Sequence, residues 1–236
     1  MNLVLFEPEE LGRPLPHADP RARHLREVLR RGVGGTFDAG LVDGDLGTAT
    51  VTADDAAGLH LDFLATRAPP PLPAVTLVLG LPRPATARDV LRDATTLGVA
   101  AIHFVVTERT TASYASSSLW APAAIREQLK LGAAQAFDTR LPVVTAGRTL
   151  SAVLRDDSVP IAALDNYEAT AHLATRPAAA GAPVTLVLGP ERGFGPDDRA
   201  ALRAAGATLW HLGPRVLRLE TAVVAALSLV HGGASR

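Results

Sequence analysis

Val184-Thr185-Leu186-Val187-Leu188-Gly189-Pro190-Glu191-Arg192-Gly193-Phe194-Gly195-Pro196 is the stretch on which the fold turns. Its first five residues are mostly aliphatic and β-branched, with no polar alternation, as in a strand buried on both faces of a parallel sheet. A glycine-rich loop follows. Pro196 then opens a helix at the favoured first turn, and Gly206 stops it. A strand, a glycine loop and a helix in that order put the loop at the carboxyl end of a sheet strand, where open α/β sheets bind ligands. Glycine lets backbone come close to a ligand, and the helix start offers free N–H groups. The spacing matches neither the phosphate loop GxxxxGK[ST] nor the dinucleotide pattern GxGxxG. The residues alone leave open whether this is a ligand loop or an ordinary turn.

Outward from this stretch the same rhythm repeats. Residues 75–81, 100–106, 159–164 and 208–212 are further short apolar runs. Helical patterns cover residues 86–97, ending at Gly98, then 122–137, 196–206 and 219–230. Strands alternating with helices predict an α/β domain built on a parallel sheet. Residues 74–80 echo residues 183–189, which suits two central strands under the same burial rule. Residues 174–183 read as a flexible stretch within this domain.

Upstream, Arg67-Ala68-Pro69-Pro70-Pro71-Leu72-Pro73 carries prolines that neither a helix nor a central strand tolerates, so a domain boundary is placed there. The predicted domains are residues 1–67 and 74–236. The first shows short β-like segments at 3–6, 36–39, 46–53 and 59–65, and one helical stretch at 20–31 whose Leu25, Val28 and Leu29 share a face. A small β-barrel carrying one helix is expected.

Composition narrows the chemistry. The 236 residues are 47% hydrophobic, enough for a real core. The absence of cysteine excludes disulfides, cysteine nucleophiles and thiolate metal sites, and suits a reducing compartment. The start, MNLVLFEPEE, is not a signal peptide, and charge, Gly or Pro interrupts every apolar run, so a cytoplasmic protein is expected. The histidines show no metal-ligand spacing, so no metal is expected. Net charge is −1, but Lys130 is the one lysine, and positive charge is otherwise arginine, whose planar fork suits phosphates and bases. Arg21, Arg23, Arg26, Arg30 and Arg31 crowd one segment against Glu27 alone, either as a solvated face or as a phosphate-binding stripe. A second strand-to-helix junction, Leu212-Gly213-Pro214-Arg215-Val216-Leu217-Arg218-Leu219-Glu220-Thr221-Ala222, gathers two arginines, a glutamate and a threonine. These are either a solvated cluster or one wall of a cleft shared with the Gly189 loop.

Taken in order, these segments resemble the RsmE-type 16S ribosomal RNA uridine-N3 methyltransferases of the SPOUT superfamily, over nearly the whole chain. Arg23-His24-Leu25, Val28-Leu29-Arg30 and Phe37-Asp38-Ala39-Gly40 look like that family's N-terminal PUA-like RNA-binding β-barrel. Leu97-Gly98-Val99 and Thr107-Glu108-Arg109-Thr110 look like its "LGV … SERS" passage, and the Gly189-Pro190-Glu191 and Leu212-to-Ala222 segments are the most specific matches. The resemblance implies a C-terminal α/β domain with a deep trefoil knot, a homodimer across the knot, S-adenosyl-L-methionine as cofactor, and 16S rRNA in the 30S subunit as substrate. Periodicity does not suggest the knot, and general folding rules argue against one.

Carried over residue by residue, the cofactor would touch Leu164, Leu188, Gly189, Pro190, Glu191, Gly193, Leu212, Gly213, Val216, Leu217 and Thr221. Arg215 or Arg218 would hold the uracil oxygens or the phosphate, with Glu191 and Glu220 as unranked candidate acids or bases. RNA would be contacted by Arg21, Arg23, Arg26, Arg30, Arg83 and Arg109. The chain departs from the family pattern at Arg192 for Gly, Arg83 for Lys, Thr96 for Glu, Leu219 for Thr, and around Ala134-Gln135, where Arg140 comes late. The cofactor loops are kept better than the segments expected to face RNA. Two other readings stay open at this point: a different RNA target, or a non-catalytic RNA-binding or ribosome-assembly protein.

Overall fold

The computed structural model describes residues 3–156, 159–177 and 181–232. Strand β9 (Val184–Leu188) is buried at every residue. It lies between β5 (Val75–Gly80) and β8 (Ile161–Leu164) in a six-stranded sheet. With β6 (Ala101–Val106), β7 (Val143–Thr149) and β10 (Thr208–Trp210), the spatial order is β10-β8-β9-β5-β6-β7, and every pairing is parallel. The α/β class expected from the alternation of strands and helices is thus the observed one. The register explains the sequence echo. Val75 lies opposite Val184 and Leu79 opposite Leu188, so the two matching segments run side by side at equal depth.

Side chains alternate across these strands. Val78, Val105, Ala163 and Val187 join one core cluster with residues of α4 (Leu150–Arg155) and α5 (Pro196–Ala204). Leu77, Leu79, Leu186 and Leu188 are also buried and point the other way, so the sheet is covered on both faces. Helices α2 (Pro84–Leu97) and α6 (Leu219–His231) pack against each other. Strand β7 and helix α4 are absent from the expectation. The strand is an edge strand with little burial, and the helix is six residues long, so neither leaves a strong periodicity. Residues 178–180 of the stretch expected to be flexible, 174–183, lie outside the described residues, and Leu173–Thr175 forms a 3-10 turn before them.

Backbone packing divides the chain into two units: Met1–Pro71 with Ala133–Leu141, and Leu72–Gly132 with Pro142–Arg236. Helix α3 (Pro122–Ala136) carries the first residues of the returning segment. In the first unit, β1 (Val4–Phe6), β2 (Thr36–Leu41), β3 (Leu46–Asp55) and β4 (Gly58–Arg67) form a sheet in that order. The β1–β2 pair is parallel and the others antiparallel, and Leu15 adds a bridge to Leu59. The returning segment is tied down by the buried Thr139, whose hydroxyl donates to the Gly44 carbonyl (2.5 Å) and whose carbonyl accepts from Asp43 N–H (2.8 Å).

The helical stretch expected over 20–31 is shorter and irregular. Helix α1 (Pro20–Arg23) passes into a π-helical turn, His24–Val28, and Arg30 takes a left-handed conformation (φ 51°). The extra residue of the π turn rotates the face. Ala22 and Leu25 are buried with Leu29 against them, whereas Val28, expected on the apolar face, is 65% exposed. Arg21 is also corrected. Its Nε donates to Asp19, Nη1 to the Leu5 carbonyl and Glu10, and Nη2 to Glu10 and Asp19, at 2.5–3.0 Å. These bonds use all five guanidinium donors, and the group lies over the Phe6 ring. The bond to Glu10, working against burial and joined by Asp19, raises its pKa above the ordinary arginine value. Arg21 therefore holds the fold and has no donor left for RNA. Arg26 pairs with Asp54 (3.7 Å) and His17 (3.1 Å), while Arg23 and Arg30 are exposed.

Candidate active site

A cleft of about 220 Å³ opens where the carboxyl ends of β8, β9 and β10 meet. Its walls are residues 164–167 after β8, residues 188–194 after β9, and Leu212, Val216, Leu217, Leu219 and Ala222 after β10.

The loop after β9 is a tight turn. Gly193 N–H donates to the Pro190 carbonyl (2.7 Å), and Gly193 itself has φ 68°, a region that glycine enters without strain. Phe194 then enters the core with 1% exposure. Burying a phenyl group contributes about 1.5–3 kcal/mol, which anchors the loop at that end. Its other end rests on β5. A Cβ placed on Gly80 would overlap the Pro190 nitrogen and ring, and one on Gly189 would lie 2.9 Å from the Gly193 carbonyl carbon. The course of the loop therefore requires glycine at the end of β5 and at the loop's own first residue.

The segment Thr107-Glu108-Arg109-Thr110 closes against the same loop. Asp198, 6% exposed, accepts from Gly195 N–H (2.9 Å) and Glu108 N–H (3.1 Å). The Glu108 carboxylate accepts in turn from Asp197 N–H (3.0 Å). Two carboxylates thus satisfy the first-turn donors of α5, where its dipole favours negative charge. Arg109 Nη1 donates to the Arg192 carbonyl (2.9 Å).

After β8, the buried Asp165 organises the third wall. It accepts from Tyr167 N–H (2.7 Å), Glu168 N–H (3.0 Å) and Arg199 Nε (2.6 Å). Arg199 is also buried, and its guanidinium lies 5.4 Å from the centre of the Tyr167 ring. Burial works against the Arg199 charge, but the bond to Asp165 and the charges of Asp165 and Glu168 outweigh it, so its pKa stands above the ordinary value. Removing Asp165 leaves the buried Arg199 with Glu168 alone, at 3.5 Å, and strips the Tyr167 and Glu168 N–H groups of their acceptor. Asp165→Ala is therefore expected to lower unfolding stability by about 3–5 kcal/mol, read from urea denaturation. A loss below about 1 kcal/mol, the range of exposed pairs, would contradict this account of the wall.

The structure brings most of the proposed cofactor residues together. Leu164, Leu188, Gly189, Pro190, Glu191, Gly193, Leu212, Val216 and Leu217 line the cleft, whereas Gly213 and Thr221 do not; Leu219 and Ala222 line it instead. Of the four candidate catalytic residues Glu191 alone is in the wall. Arg215 is exposed in the loop after β10, Arg218 directly precedes α6 without a capping bond from its side chain, and Glu220 lies in the first turn of α6. Arg83 and Arg109 border a second, smaller pocket on the far side of the 190–192 turn, where Glu191 Oε1 accepts from Arg83 N–H (3.0 Å) and Nε (3.4 Å). Gly80, Asp165, Tyr167, Arg192 and Phe194 were not among the candidate site residues. Asp165-Asn166, directly after an apolar run, is the signal that would have found the third wall, because such residues bond their own turn. Among the described residues no group of three His, Asp or Glu could hold a metal ion, and no helix is long and apolar enough to cross a membrane.

The family model of the RNA methyltransferase domain matches residues 68–231. The chain is 32% identical over 241 aligned residues to the ribosomal RNA small subunit methyltransferase E of Treponema pallidum (strain Nichols), covering 98% of this chain and 90% of that protein. The crystal structure of a ribosomal RNA small subunit methyltransferase E from Neisseria gonorrhoeae, bound to S-adenosyl methionine, superposes with a TM-score of 0.75 at 25% identity, covering 96% of this chain and 95% of that one. A Legionella pneumophila protein solved with its cofactor SAM shares the fold, with a TM-score of 0.76 at 20% identity over 99% of each chain. With a family match from residue 68 to 231 and a relative aligned along nearly its whole length, the chain belongs to the RNA methyltransferase family that includes the ribosomal RNA small subunit methyltransferases E.

Proposed function

We propose that this chain transfers the methyl group of S-adenosylmethionine to N3 of a uridine in the 16S rRNA of the small ribosomal subunit. The observation that carries this reading is the cleft: three loops from the carboxyl ends of β8, β9 and β10 converge on it, in a fold whose Neisseria relative binds S-adenosyl methionine. The residues fit that cofactor. Leu164, Leu188, Leu212 and Leu217 supply apolar walls for the adenine, and the 188–193 turn supplies backbone groups close at hand. When bound, the cofactor supplies a methyl group on a positively charged sulfur.

The rest falls to the protein. Uracil N3 is a poor nucleophile until its proton leaves, so a base and a cation beside the forming anion are needed. Arg215 and Arg218, at the start of α6, are assigned to the uracil oxygens. Glu191 and Glu220 stay unranked as proton acceptors, since the Glu191 carboxylate bonds Arg83 beyond the 190–192 turn and Glu220 lies outside the lining. Most of the acceleration comes from alignment for in-line transfer. The target base is turned out of its stack to expose N3. The same reading makes the first unit a PUA-like RNA-binding barrel and puts a trefoil knot around the 189–193 and 212–218 loops, with a homodimer across it, in the cytoplasm. Arg23, Arg26 and Arg30 are assigned to the phosphate backbone.

The test in cells is nucleoside analysis of 16S rRNA from a strain lacking this protein. Loss of 3-methyluridine, restored by the wild-type gene, is expected. Unchanged 3-methyluridine, or loss of a different modified nucleoside, would contradict the assigned target.

A further inference from the structure

Beyond the 190–192 turn lies the second pocket, about 80 Å³ in volume. It is formed by the loops after β5, β6 and β9, and its polar lining is Arg83, Arg109, Thr111, Tyr114, Glu191 and Arg192. Three guanidinium groups thus face one carboxylate. Each arginine keeps donors for a further partner. Arg83 uses its backbone N–H and Nε on Glu191, which leaves both terminal nitrogens. Arg109 uses Nη1 on the Arg192 carbonyl. The Arg192 side chain is exposed and makes no hydrogen bond or ion pair among the described residues. Helix α2, fourteen residues long, begins here, and the positive end of its dipole adds to the same field beside the Glu191 carboxylate that accepts from the Arg83 N–H.

We propose that this pocket seats one phosphate of the RNA strand next to the nucleotide being methylated, an inference that rests on the RNA methyltransferase reading above. The ligand class follows from the donors. Guanidinium forks match the oxygens of a phosphodiester in pairs, and the hydroxyls of Thr111 and Tyr114 can add single bonds. The location follows from the shared wall. Pro190, Glu191 and Arg192 line both this pocket and the cofactor cleft, so the thickness of one turn separates the phosphate from the methyl-transfer site. A base entering the cleft brings its own or its neighbour's phosphate to these arginines. The pocket fixes the strand and so the approach of the base, and it reads no sequence.

The test combines kinetics with a readout that does not need turnover. Arg83→Gln and Arg109→Gln are expected to raise KM for 30S subunits or 16S rRNA about tenfold each. Each should also flatten the dependence of log(kcat/KM) on log salt by about 0.7–0.9 per lost phosphate contact. Arg109→Lys, which keeps the charge, should restore the salt slope. Separately, arginine modification by phenylglyoxal, read by peptide mass spectrometry, is run on the wild-type protein with S-adenosylmethionine. Pentauridylate should protect Arg83, Arg109 and Arg192. No protection of these three, or equal protection by inorganic phosphate at the same concentration, would overturn the proposal. So would unchanged KM and salt slope in both Gln variants. If wild type methylates no uridine in the subunit, the function reading fails by itself, and the protection pattern still decides the pocket.

Discussion

Arg218→Ala lowers methyl transfer by a factor of about 10²–10⁴, the range for groups that act on the transition state, and leaves S-adenosylmethionine affinity within about twofold. The side chain sits at the start of α6, directly after the loop that carries Leu212, Val216 and Leu217 into the cleft, yet it is not part of the cleft lining. A residue beside the cofactor, and not under it, should act on the substrate alone. The loss should therefore appear in kcat rather than in cofactor binding. Single-turnover rates with saturating cofactor, together with a cofactor titration, separate the two. A rate within about threefold of wild type would remove Arg218 from the chemistry.

Gly80→Val raises the dissociation constant for S-adenosylmethionine by at least about tenfold, with a larger fall in kcat/KM, because misplacing a reacting group by about 1 Å can cost a factor of 10². Gly80 touches neither substrate nor cofactor in this account. It acts through Pro190, whose nitrogen and ring occupy the place a Cβ would take. Since Pro190 is backbone in a tight turn, it cannot move without carrying Gly189 and Glu191 with it. Gly213→Ala is the contrast. A Cβ there meets nothing within 4 Å, and the cost is conformational, since φ is 113°. Its effect on affinity should be smaller than that of Gly80→Val. Isothermal titration of both variants checks the order, and the reverse order would contradict the packing argument.

Strands buried on both faces left the plainest signal. Residues 184–188 read as a strand and form β9 within those bounds, and the echo at residues 74–80 marks its parallel neighbour. The glycine loops were legible as turns, since Gly enters a left-handed conformation without strain, while the residues alone left their ligand open. Edge strand β7 was not legible, because its residues are mostly exposed and alternate with nothing. Nor was the π turn at His24–Val28, which shifts Val28 to solvent through a single hydrogen-bond register. The site was half legible. Apolar wall residues follow from the loops that carry them. Asp165 and Arg199 are 34 positions apart in sequence, and charge alone gives no sign that they meet as a buried pair. Arg21 shows the opposite failure: its place in a basic run pointed to RNA, while Glu10 and Asp19, both acidic and nearby, together with the Leu5 carbonyl take all its donors.

The most direct test of the central claim is transfer of labelled methyl from S-adenosylmethionine by the purified protein to 30S subunits and to deproteinised 16S rRNA, each from cells lacking it. Nucleoside analysis of the product then identifies the modified atom. Label recovered as 3-methyluridine from at least one of the two substrates is the predicted result. Label in any other nucleoside, or none from either substrate while the cofactor still binds, would contradict the account.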